Sequence, residues 1–84
     1  MKTGVQWTST LAAHTTKQWF THGWSASAQV LWTIVPTYPL ADVPQIGWRV
    51  SAEHAQSGQI TYWITVENLT SDAVEFEGRY AIVS

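Results

Sequence analysis

The chain has 84 residues, of which six are tryptophan and none is cysteine, with four basic and six acidic side chains and a net charge of −2 with His neutral. This excludes disulfides and thiolate metal sites, and the four scattered cations, Lys2, Lys17, Arg49 and Arg79, form no basic patch for a phosphate backbone, so nucleic acid is not an expected partner. No run approaches the roughly 20 apolar residues of a membrane-spanning helix.

Lys2 is not followed by the apolar stretch of a signal peptide, so the expectation is a cytoplasmic chain, one exported by a non-classical route, or a mature form. The length fits one domain over residues 1–84. So small a core is marginal without supplement, and self-association into a homo-oligomer is the expected one.

In chain order, hydrophobic alternation predicts strand almost throughout. Residues 4–11 put Val5, Trp7 and Leu11 on one face. Residues 15–24 set Lys17, Trp19 and Thr21 against Gln18, Phe20, His22 and Trp24; Trp19, Phe20 and Trp24 are more rings than one face buries, so one side looks outward. Gly23 and Ser25 predict the strand end, with Trp24 at a loop rim. Residues 28–35 place Val30, Trp32 and Ile34 on one side, leaving Leu31 and Val35 as an apolar pair on the other, a mark of association.

Residues 36–44 hold all three prolines and read as a crossing loop between sheets. Residues 45–54 point Ile46, Trp48, Val50 and Ala52 inward and Arg49, Ser51 and Glu53 outward. Residues 59–67 point Ile60, Tyr62, Ile64 and Val66 inward, with Thr61, Trp63, Thr65 and Glu67 outward. In residues 73–83 the inward set is Val74, Phe76, Tyr80 and Ile82, with Gly78 marking a bulge or making room for a neighbouring ring. Short turns at 55–58 and 68–72 predict a meander of the last three strands. The fold class is all-β, a small antiparallel β-sandwich of about six strands; a partly closed barrel is the alternative, because periodicity does not separate the two.

Trp63 is the strongest local signal, an indole in a polar row on a regular strand. A meander with Val66 opposite Val74 sets Trp63 against Glu77 and Arg79 against Thr61, with Ser51 or Arg49 opposite Trp63 on the other side. Such a ring suits the apolar C–H face of a sugar, and the carboxylates and guanidinium groups suit its hydroxyls. The competing reading has Trp63 packed under a loop or another subunit, and Arg49 with Glu77 as a cross-strand ion pair. Trp24 and Tyr38 are a second candidate platform.

His14, His22 and His54 match no metal-ligand spacing, no catalytic motif occurs, and Glu75 with Glu77 reads as a solvated acidic face. Asn68-Leu69-Thr70 is a formal glycosylation sequon whose residue types also serve turn chemistry. The sequence thus points to a non-catalytic, lectin-like carbohydrate-binding module without cofactor, acting as a homo-oligomer on a glycan ligand. The alternative is a structural or oligomerisation module whose exposed tryptophans anchor subunit contacts. Membrane-surface binding by rim tryptophans ranks last, since basic flanking residues are few.

Overall fold

A computed structural model of the protein describes residues 1–39 and 42–83. The alternation resolves into six strands, β1 Lys2–Leu11, β2 Thr16–Ser25, β3 Gln29–Pro36, β4 Ile46–Gln56, β5 Gln59–Asn68 and β6 Val74–Val83. They form two antiparallel three-stranded sheets, β1-β6-β3 (sheet A) and β2-β5-β4 (sheet B). The sheets face each other as a sandwich and do not close into the alternative barrel: β1, β3, β2 and β4 each end a sheet. Residues 40 and 41, within the expected 36–44 crossing loop, lie outside the described residues, but that loop does link β3 of sheet A to β4 of sheet B.

The expected meander is corrected. Only β4 and β5 are joined as a hairpin, across Ser57 and the left-handed Gly58 (φ 72°). The chain crosses between sheets at every other connection, and β5 and β6 become the central strands of opposite sheets. Their apolar faces, Ile64 and Val66 on one and Val74 and Phe76 on the other, belong to the core between the sheets. Alternation specifies which side chains face the core; it is equally satisfied by strands side by side and by strands stacked across it.

Asn68 fixes the crossing. Its amide, 1% exposed, donates from Nδ2 to the carbonyls of Leu11 (3.1 Å), Ala12 (3.1 Å) and Asp72 (2.8 Å). Its Oδ1 accepts from the backbone N–H and hydroxyl of Thr70 at 2.9 and 2.8 Å. The β1–β2 and β5–β6 crossings are thereby tied together at one end of the sandwich. Turn chemistry, not glycan attachment, accounts for this sequon, because the folded amide is sealed.

Two bulges alter the expected faces. One between Val5 and Trp7 turns Val5 outward and Trp7 inward, against the expectation that they share a face. The second lies between Thr21 and Trp24, where Gly23 adopts φ 84°. It returns Trp24 to the core side of β2, where Trp19 also points, in place of a loop rim. Gly78 makes room for a ring: a Cβ there would overlap Cζ3 and Cε3 of Trp7.

The core is aromatic. Trp24 packs edge-on to Trp32 (5.3 Å) and Tyr80 (5.4 Å), and Trp19 edge-on to Phe76 (5.4 Å). Among the described residues the buried Nε1 groups of Trp7 and Trp32 have no oxygen or nitrogen partner, and the two indoles pack against other rings. Trp48 departs from the expected core set. It shares the inward face with Val66, its partner across β4–β5, yet is 42% exposed, because β4 is the rim of sheet B. The molecule is elongated: its radius of gyration is 13.8 Å, against about 12 Å for a compact domain of this length.

Candidate functional site

The outer face of sheet B carries the most concentrated combination of aromatic and polar groups. Strand register arranges it as rows across β2, β5 and β4. Phe20, Trp63 and Ser51 form one row, Gln18, Thr65 and Arg49 the next, and Thr16, Glu67 and Gly47 the third. On the other side of Trp63, Thr61 pairs with Glu53.

Trp63 is half-buried and held in place. Its Nε1 donates to Glu53 Oε1 at 2.9 Å, and its ring lies 5.1 Å from Phe20 at an interplanar angle of 34°. Glu53 stands one row away, so the indole leans along the strand over Thr61, which is only 7% exposed although it faces outward. Phe20 is 60% exposed, and His22 stacks on it at 6.4 Å. Two rings thus present apolar surface to solvent, and the bond to Glu53 holds the indole.

Beyond Trp63, away from Glu53, the face sinks into a shallow hollow of about 480 Å³ lined by Thr16, Gly47, Trp48, Arg49, Thr65 and Glu67. Gly47 opens it, since this position of the row has no side chain, and a Cβ there would meet only Leu69 Cδ1 at 3.9 Å. Gln18 Nε2 donates to Thr65 Oγ1 at 3.3 Å beside it. Arg49 brings a guanidinium donor fork and Glu67 a carboxylate acceptor pair to the same hollow.

The structure separates the residues that sequence reasoning grouped. Trp63 and Arg49 lie on this face in adjacent rows, and Ser51 stands opposite Trp63. Glu77 and Arg79 do not meet Trp63. They belong to β6 in sheet A, where Arg79 Nε donates to Glu77 Oε1 at 2.9 Å and pairs across to Val5 and Thr33. The expected contact fails because it required β5 and β6 to be neighbours.

Trp24 and Tyr38 are also apart. Trp24 is in the core opposite Ile60, towards the β4–β5 hairpin, and donates from Nε1 to Thr21 Oγ1 at 3.1 Å. Tyr38 is exposed in the loop after β3, at the end of the sandwich where Thr37 bonds to Glu75. Among the described residues, no three His, Asp or Glu side chains come together to hold a metal ion.

Phe20 and Glu53 are the members of the face that sequence reasoning did not select. Glu53 was legible as an outward residue of its strand, but its place diagonal to Trp63 depends on the bulge between His54 and Gln56, which shifts the register by one residue. Phe20 was not, because its partner strand depends on tertiary pairing. Neither a protein-family model, nor a curated protein, nor a solved structure matches the chain.

Proposed function

We propose that the outer face of sheet B binds a saccharide and that the protein is a non-catalytic carbohydrate-binding module. The observation that carries this reading is the Phe20–Trp63 pair, tethered through Glu53 and bordering a polar hollow. A pyranose ring stacks its C–H face on the two rings, and its hydroxyls reach Arg49, Thr65 and Glu67. Residues two apart on a strand are about 7 Å apart, so Trp63 and Thr65 are spaced for one sugar ring and its substituents. Binding at so open a face is weak per site, and a homo-oligomer offsets this through multivalency.

The test is a titration of tryptophan fluorescence and of binding heat with a panel of mono- and oligosaccharides. One sugar class shifts the emission of the native protein, and Trp63→Ala abolishes the response while thermal unfolding remains cooperative. A panel with no binder, or a response unchanged in Trp63→Ala, overturns the assignment.

A further inference from the structure

Sheet B ends at β4, an edge whose register shifts only at its hairpin end, between His54 and Gln56, and which is otherwise open. Proteins blunt sheet edges with short strands, prolines, bulges or inward-pointing charges. The other three edges here use these devices. β1 bulges between Val5 and Trp7, and Gln6 Nε2 donates across to Thr21 Oγ1 of β2 at 3.2 Å. β2 bulges at Gly23 and turns Lys17 to the core side, its Nζ 5.2 Å over the Trp19 ring. β3 has only eight residues and ends in Pro36. β4 runs for eleven residues without proline and pairs regularly from Ile46 to His54. On its core-side face Trp48 and Val50 remain 42% and 38% exposed.

We propose that β4 pairs antiparallel with β4 of a second copy about a two-fold axis at Ser51, so that sheet B continues across a homodimer. This rests on the self-association in the reading above and names its edge and register. The register follows from charge. An axis at Ser51 sets Arg49 opposite the partner's Glu53 and, reciprocally, Glu53 opposite the partner's Arg49, all on the outer face. On the core side it sets Val50 against the partner's Ala52 and Trp48 against the partner's His54. An axis at Arg49 or at Glu53 opposes that charge to itself, and axes at Val50 or Ala52 leave both charges facing uncharged residues. Ser51 alone makes the edge self-complementary while pairing the open backbone N–H and C=O groups.

The consequence reaches the saccharide face. Trp63 stands one strand inside β4 and opposite Ser51. The two Trp63 residues then lie three strand spacings apart, roughly 14 Å, on one continuous surface. The partner's Arg49 comes to rest beside Glu53, the acceptor of the Trp63 indole bond.

Sedimentation velocity over a concentration series tests the pairing. The native protein forms a dimer. Arg49→Glu alone, or Glu53→Arg alone, places two like-charged pairs across the axis and weakens association about tenfold or more. Mixing the two variants restores it, because every pair across the mixed dimer is then of opposite sign. Ser51→Cys, in a chain without other cysteines, forms a disulfide-linked dimer on mild oxidation, since residues on the axis oppose themselves at Cα separations of about 4.5–5.5 Å. Thr65→Cys, one strand inward, does not. A native protein that stays monomeric overturns the proposal together with the self-association. Assembly that is indifferent to both reversals and gives no Ser51→Cys crosslink overturns the β4 pairing alone.

Discussion

Trp63 and Glu53 are bonded on the diagonal of the β4–β5 hairpin: the indole Nε1 donates to Oε1 at 2.9 Å, although Trp63 stands opposite Ser51 and Glu53 opposite Thr61. The bond draws the ring over Thr61 and leaves the surface around Thr65 and Arg49 open. The carboxylate thus sets which side of Trp63 is free.

If that free side receives the sugar, the variants separate by sheet. Phe20→Ala removes half of the aromatic surface and lowers affinity by about tenfold, Trp63→Ala by more. Glu53→Ala releases the indole and weakens binding several-fold, whereas Glu53→Gln keeps an acceptor oxygen and retains most of it. Glu77→Gln and Arg79→Ala, on the opposite face, leave affinity unchanged. Calorimetric titration with the sugar selected from the panel reads all of these.

Asn68 governs stability. In Asn68→Ala the Leu11 carbonyl and the Thr70 N–H lose their Asn68 partner, while the Ala12 and Asp72 carbonyls keep only their bonds from Thr15 and Thr70, and unfolding free energy falls by about 2–3 kcal/mol. Asn68→Asp is at least as damaging, because it replaces the donor with an acceptor aimed at the carbonyls of Leu11, Ala12 and Asp72. Urea unfolding followed by tryptophan emission measures both; a loss below about 0.5 kcal/mol for either would contradict the clamp.

The aromatic core admits no methyl group at Gly78. In Gly78→Ala the new Cβ displaces the Trp7 ring, which packs against Trp19, Trp32 and Phe76. The expected cost is about 1–3 kcal/mol, with loss of near-ultraviolet circular dichroism from the coupled rings. Trp7→Leu combined with Gly78→Ala is less damaging than the sum of the two changes, since the smaller side chain vacates the overlap.

Gly23 is constrained by its backbone alone. Nothing lies within 4 Å of a Cβ built on it, but its φ is 84°. Gly23→Ala therefore costs about 1 kcal/mol through the left-handed conformation. Gly58→Ala, with φ 72° and equally open space, costs a similar amount. Thermal unfolding measures both costs, and native-state tryptophan emission distinguishes them: only Gly23→Ala also perturbs Trp24, whose return to the core depends on that bulge.

The strands themselves were legible because apolar and polar residues alternate so regularly over β4, β5 and β6. The outward placement of Trp63 followed from that alternation, which allowed Ser51 or Arg49 opposite it; the bulge between His54 and Gln56 sets the register that selects Ser51. Phe20 escaped because β2 reaches β5 only by crossing the sandwich, a pairing with no local signature.

Alternation within the strands, with the turn residues between them, was enough to specify an all-β fold of about six strands and most of its inward-facing side chains, since both are properties of short stretches of chain. Tertiary structure decided the rest. It decided that β5 and β6 stack across the core, which separates Glu77 and Arg79 from Trp63. Through bulges of one or two residues it reversed the facing of Val5 and Trp24. It also left Trp48 uncovered at a rim. The physical reason is common to all three: a period of two records which way a side chain points, and is blind to which strand lies beside it, where the count slips, and where the opposing sheet ends.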